Sequence, residues 1–276
     1  MQHHGFDFSG NGIIQPPGAD AISSALRDTR VIIDSRDRDR VAYPTPNAYT
    51  FDLENEIDEV VSAELVSIEV PVSRYLISRT NATFVVNAVA VTLAHGAYDD
   101  PAASALVTAL GAAVAAAVPS MTVSLDAVTR LVTFAVGTDD PPFSLTFPRT
   151  SNLHSILGFR PSETYVSGDG ADLVAPYPIN QTPLRYIVVS IGGMNVVKSA
   201  NSVLDNSTAV ITSNAIATAS LISTNITKWY NPVKASVRRI TVDFKDYYGN
   251  AYDFQNQEHY IELLFRSRKN LKRFSL

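Results

Sequence analysis

The sequence contains no cysteine. That excludes disulfides, thiolate nucleophiles and every cysteine-bearing zinc site, and it suits a protein matured in a reducing cytoplasm. Charge is scarce too: 18% of residues are Asp, Glu, Lys or Arg, with a formal net charge of −5. So mildly acidic a chain lacks the cation surplus of a dedicated nucleic-acid binder. Long apolar runs are nearly missing. One uncharged stretch, 101–118 (PAASALVTALGAAVAAAV), reaches the lower limit of spanning length, but alanine gains little from lipid. Asp99, Asp100 and Pro101 form an ordinary helix start, so a helix packed on a sheet or neighbour is expected there. The opening MQHHGFDFSGNGIIQPPGAD shows no basic segment followed by an apolar one. The Asn-x-Thr sequons at Asn81, Asn206 and Asn225 are therefore not expected to carry secretory glycans.

Catalytic signatures are missing as well. There is no Gly-x-Ser-x-Gly elbow, no Gly-x-Gly-x-x-Gly and no P-loop; Gly168-Asp169-Gly170 has no lysine and helix after it. The acid pairs Asp99-Asp100 and Asp139-Asp140 each precede proline and read as caps and turns. Glycosidase carboxylates instead face each other across a substrate. His3, His4, His95, His154 and His259 never fall at i, i+2 or i, i+4, the spacings of a metal face. His95 and His259 read as strand-end hydrogen-bonding residues. No catalytic residue, cofactor or metal is expected.

What the sequence does hold is a procession of short strands. Tyr49, Phe51 and Leu53 alternate with polar residues, as do Phe143, Leu145 and Phe147, and Ile240, Val242 and Phe244. Further strands are expected at 84–93, 121–125, 131–136, 185–191 and 260–265. In 60–70 the polar phase switches from Ser62 and Glu64 to Ser67 and Glu69, which predicts a β-bulge or sheet crossing near Leu65-Val66. The pattern predicts an all-β fold, an antiparallel β-sandwich of jelly-roll type with one Ala-rich helix and extended terminal arms. The expected organisation is an N-terminal arm over 1–28, a body over 29–265 with a helix-plus-hairpin excursion at 98–136, and a basic tail over 266–276. Residues 198–227 read as a long loop or as two weak strands.

Two electrostatic features stand out. The strand VIID runs into Asp34, Arg36, Asp37, Arg38, Asp39 and Arg40. A calcium loop is excluded, because the arginines cancel the acids and the loop's glycine and final glutamate are absent. Two readings stay open: an ion-paired strand end exposed to water, or a joint offering guanidinium forks and carboxylates to a neighbour. The second feature is Arg266, Arg268, Lys269, Lys272 and Arg273, with no acid among the last eleven residues. Such a tail suits an anionic membrane surface, phosphate or an acidic subunit face.

The segment VIIDSRDRDRVAYPTPNAYTFDL, followed by VVSAELVSIEVP, resembles the opening of minor capsid and virion structural proteins of large eukaryotic double-stranded DNA viruses, such as the chlorella viruses and their giant relatives. Later pieces agree in order: His95-Gly96-Ala97-Tyr98 before the helix, the Leu153–Phe159 box (LHSILGF), and Asp246–Phe254 (DYYGNAYDF) with His259. The resemblance spans about 30–265 and supplies no enzyme residues. It implies a jelly-roll component of an icosahedral shell in the virion, built beside or beneath the major capsomers or forming a pentamer at the vertices. Expected partners are the major capsid protein and other minor capsid proteins, with a homo-oligomer if the vertex is its place. The tail would lie near an inner membrane or an acidic subunit face, and no specific nucleic acid is expected. Under this resemblance the Asp/Arg stretch shifts toward an intersubunit joint. The rival from another class is a lectin-like sandwich stacking glycans on Tyr75, Tyr165, Tyr177 and Trp229.

Overall fold

The computed structural model describes residues 26–71, 75–138, 140–160, 163–181, 186–212 and 226–269. Residues 1–25 of the expected arm over 1–28, most of the tail, and the run 213–225 lie outside the described residues, while 26–28 belong to the first strand rather than to an arm.

The fold is all-β and antiparallel, of sandwich and jelly-roll type. Its main sheet contains β1 (Leu26–Asp34), β2 (Ala48–Glu69), β10 (Tyr186–Ile191), β11 (Ala209–Thr212), β12 (Ile226–Lys245) and β13 (Tyr260–Arg268) in the order β1-β13-β2-β12-β10-β11. β2 and β12 are long, 22 and 20 residues. They pair along most of their length, but two irregularities interrupt them, between Trp229 and Lys234 and between Val237 and Arg239. One end of β2 pairs only with β12; the other also pairs with β13, from Val60 to Glu69. Bulged strands bend. Side chains of β1 and β13 (Val31, Ile33, Ile261, Leu263, Phe265) thereby share one core with those of β10, β11 and the end of β12 (Ile187, Val189, Ile211, Val242, Phe244).

The expected phase switch is present. Glu262 faces Ser67 but Leu263 faces Leu65, so Val66 is the extra residue. That bulge lets polar Ser62 and Glu64 share the outer face with Glu69 without turning Leu65 or Ile68 out of the core.

A second core is contiguous in sequence, from Leu76 to Ile179. It is built from β3 (Thr83–Val86), β4 (Val89–Thr92), helix α1 (Ser104–Ala117), β5 (Thr122–Leu125), β6 (Val132–Ala135), β7 (Ser144–Thr146), the one-turn helix α2 (Leu153–Ile156), β8 (Thr164–Val166) and β9 (Leu173–Val174). These strands form a four-stranded sheet, β4-β3-β7-β8, and a three-stranded one, β5-β6-β9. The expected excursion at 98–136 is thus the middle of a larger structure. The segment expected as one strand over 84–93 is a hairpin, because Asn87 and Ala88 both adopt left-handed φ (47° and 64°) and reverse the chain.

The Ala-rich helix begins at Ser104, three residues after Pro101; Asp100 caps it, its carboxylate accepting from the Ser104 amide at 2.6 Å. Leu106, Leu110 and Val114 are buried against the sheets. Among the described residues no helix is long and apolar enough to cross a membrane. Four phenylalanines fill the centre: Phe84 stacks on Phe147 at 5.7 Å and meets Phe134 at 6.4 Å, and Phe159 lies 5.2 Å from Phe147. Gly158 sits at φ +83°, and a Cβ there would fall 1.9 Å from the Tyr177 carbonyl oxygen, so only glycine fits.

Candidate interaction surface

β1 ends at Asp34, and the chain turns sharply there. The Asp34 carboxylate accepts from the Arg36 amide and from Arg36 Nε, both at 2.9 Å, starting a single 3-10 turn over Ser35–Asp37. The Arg36 guanidinium holds the Asp34 carboxyl below its ordinary range. Asp39 then accepts from the amides of Val41 and Ala42 at 2.9 and 3.2 Å, shaping the tip. These acids are engaged by their own loop.

Arg38 points the other way. Its side chain is 4% exposed, and it donates to the carbonyls of Ser35 (2.6 Å), Tyr43 (3.0 Å) and Pro44 (3.3 Å) and to Glu258 Oε2 (2.6 Å). Glu258 also accepts from Ser35 Oγ at 2.6 Å and from Arg40 at 3.3 Å. Burial pushes the Glu258 carboxyl up, but the Ser35 and Arg38 hydrogen bonds and the arginine charges outweigh it and leave the group below its usual value.

Next in sequence, buried His259 completes the joint. Its backbone exchanges hydrogen bonds with Ser35, the Ser35 amide donating to the His259 carbonyl at 3.0 Å and the His259 amide to Ser35 Oγ at 2.8 Å. Nε2 lies 2.9 Å from the Pro46 carbonyl, which can only accept, so Nε2 carries the proton. The ring packs among Phe244, Phe254 and Tyr49 at 4.4, 5.3 and 5.5 Å. Burial pulls its pKa down to about 4, so the ring is neutral at pH 7. The expected strand-end role of His259 is what the geometry shows.

The sequence-predicted residues therefore divide. Arg38, Asp34 and Asp39 organise the loop itself. Arg36, Asp37 and Arg40 are exposed at its rim, beside Val41, which is 96% exposed. The basic tail needs a correction: Arg266 and Arg268 are strand residues of β13, opposite Asp28 and Leu26 of β1. Arg266 pairs with Glu64 at 3.0 Å and lies 3.9 Å from Asp28. Acids on both flanking strands draw it into the sheet, a long-range fact that local charge counting misses. Lys269 is exposed at the end of the described chain, and Lys272 and Arg273 lie outside the described residues. Glu258 and Ser35 were not singled out in sequence; the acid directly before His259 was the available signal.

Three of the four motifs of the resemblance meet one another, and the fourth, 95–98, meets residues outside them. The 34–46 loop meets Glu258 and His259. The Leu153–Phe159 box meets the Asp246–Phe254 turn, where His154 stands edge-on to Tyr248 at 6.0 Å and Asn250 Nδ2 donates to the Thr150 carbonyl at 2.8 Å. The turn is held by buried Asp246, whose carboxylate accepts from the amides of Tyr248 and Asn250 at 2.8 and 2.9 Å, with Gly249 at φ +87°. Gly96 bridges to Ile77, and Gln181 donates to the Tyr98 carbonyl at 2.8 Å. The aromatics of the lectin reading do not form one platform. Tyr165 and Tyr177 gather at Arg160, 2.9 Å from its amide and its Nε respectively, whereas Trp229 is exposed on β12 of the other sheet. Among the described residues no group of three or more His, Asp or Glu could hold a metal.

No curated protein matches the chain. A solved structure that does match is the crystal structure of the selenomethionine-labelled mavirus penton protein, at 12% identity over 88% of this chain and 99% of that chain, with a TM-score of 0.38. So slight a likeness carries no functional argument. A family model described as a family of unknown function (DUF5901) matches residues 26–247. That match covers most of the chain, and the protein belongs to the DUF5901 family.

Proposed function

We propose that the protein is a structural component of an icosahedral viral capsid, a minor capsid protein acting through contacts with neighbouring capsomers. One observation carries this reading. Motifs that resemble virion proteins in the same order, though about 220 residues apart in the chain, interlock through Ser35, Arg38, Glu258 and His259. Chance likeness along a sequence has no reason to meet in space. The interlock fixes the loop's base and leaves Arg36, Asp37, Arg40 and Val41 outward as the joint, with major and other minor capsid proteins as partners. Charges of both signs at a rim govern register and partner choice more than raw affinity.

The test is mass spectrometry of purified virus particles from the source of the sequence. The chain should be present in stoichiometric amount and resist removal by a high-salt wash. Its absence from particles rejects the reading. A stable pentamer in isolation would move it to the vertex; a glycan array with saturable binding would move it to the lectin class.

A further inference from the structure

β1 forms one edge of the main sheet. Its residues pair with those of β13 one for one from Leu26 to Asp34, with no bulge or shift. Among the described residues nothing pairs with its other side. A long, unbulged edge is a template for another strand, and charges along it ordinarily keep other chains off.

Side chains alternate along this strand. Val31 and Ile33 point into the core of the main sheet, so Leu26, Asp28, Arg30 and Ile32 take its outer face. Ile32 is 58% exposed, and the side chains of Asp28 and Arg30 are 59% and 65% exposed. Both charges end ion-paired runs that cross the sheet. Asp28 lies 3.9 Å from Arg266, which holds Glu64 at 3.0 Å, and Arg30 pairs with Glu262.

The outer face therefore reads apolar, acid, base, apolar, an order that complements itself when reversed. If two copies of β1 run antiparallel about a twofold axis centred on Thr29, Asp28 of each faces Arg30 of the other, and Leu26 faces Ile32. A centre on Asp28 or on Arg30 sets like charges against each other, and a centre on Val31 sets Asp28 against Asp34. Opposite charges at directly facing positions stabilise a strand pair and like charges destabilise it. The Thr29 centre also joins the run Glu64–Arg266–Asp28 of one copy to Arg30–Glu262 of the other, with alternating sign throughout. Such exposed pairs add little energy singly, but they fix register and partner.

From the open edge, its even register and its self-complementary charges, we propose that β1 is a homodimer edge, where a second copy of this chain pairs β1 to β1 about a twofold at Thr29. The pairing joins two six-stranded sheets edge to edge. This goes beyond the capsid reading, which a monomeric chain would leave standing.

Sedimentation of the full chain tests the proposal. Over roughly a hundredfold range of concentration the mass should rise from monomer to dimer. Asp28→Arg sets arginine against arginine across the axis and Arg30→Asp sets acid against acid, so each variant alone should stay monomeric where the native chain is dimeric. Mixed in equal amounts, the two regain both opposite-charge pairs and should recover the dimer mass. If the charge variants fail to fold, single cysteines decide, because the native chain has none. Thr29→Cys should oxidise to a disulfide dimer, since facing Cα atoms in an antiparallel pair lie within disulfide reach. Arg27→Cys, held about 13 Å from its copy in this register, should not. A native chain monomeric at every concentration would overturn the proposal, as would dimers that survive both charge variants, or equal oxidation of the two cysteine variants. Slow exchange of the 26–32 amides in a monomer would assign the edge to another segment of the same chain and overturn it too.

Discussion

The two hydrophobic cores are built on different principles. The second is local: its buried residues come from one uninterrupted stretch between Leu76 and Ile179, and phenylalanines and a helix fill it. The first is assembled from the two ends of the described chain, residues 31–70 with 187–265, and is closed at one corner by a polar interlock. A local core pays little loop-closure entropy, whereas joining distant segments needs specific contacts to offset it. Arg38 and Glu258 supply such contacts, and the exposed loop rests on them.

The largest effect tests whether the cores are separable. Phe84→Ala opens a cavity among three rings and should cost about 4 kcal/mol. Hydrogen exchange should rise across 76–179 while β10, β12 and β13 stay protected; uniform loss of protection would merge the two regions. Arg38→Met should do the reverse. It takes one donor from Glu258 and leaves the Tyr43 and Pro44 carbonyls without theirs, costs about 3 kcal/mol, and should loosen 34–46 and 258–259 while leaving the phenylalanine core intact.

Acid should also separate them. His259 has a folded pKa of about 4 against an ordinary 6.5, so the unfolded chain takes up a proton first as pH falls. The stabilisation is complete above about pH 6.5 and is lost progressively toward pH 4, a change of about 3 kcal/mol. The lowered Glu258 carboxyl adds a loss of the same sign below its ordinary value. Denaturant midpoints measured from pH 7 to pH 4 should fall, and His259→Phe should flatten that slope. The smallest effect has the opposite sign. A Cβ on Gly111 of α1 would meet Val123 at an ordinary 4.0 Å, so Gly111→Ala should stabilise the helix by about 1 kcal/mol and raise the melting temperature.

Local pattern carried much of the fold. Alternation marked most strands, and the phase switch located the Val66 bulge because a buried face tolerates no register error. The long reach of β2 was hidden, since the charges from Glu54 to Glu59 interrupt the apolar alternation, while its backbone pairs with β12 over part of that run. The 83–92 hairpin was hidden by a turn, Asn87-Ala88, that lacks the usual glycine. In the site, the charged stretch was legible but the roles within it were not. Whether Arg38 or Arg36 turns inward depends on Glu258, 220 positions from Arg38, and no window of sequence contains both. Arg266 was misplaced for the same reason.

Carboxylate footprinting of Asp37 and Asp39, compared between the isolated chain and intact virus particles, bears most directly on the claim that the interlock holds the 36–42 loop out as an assembly joint. Both acids should label readily in the isolated chain and be shielded several-fold in particles, with Glu258 unchanged between the two. Equal labelling in both states would contradict the account.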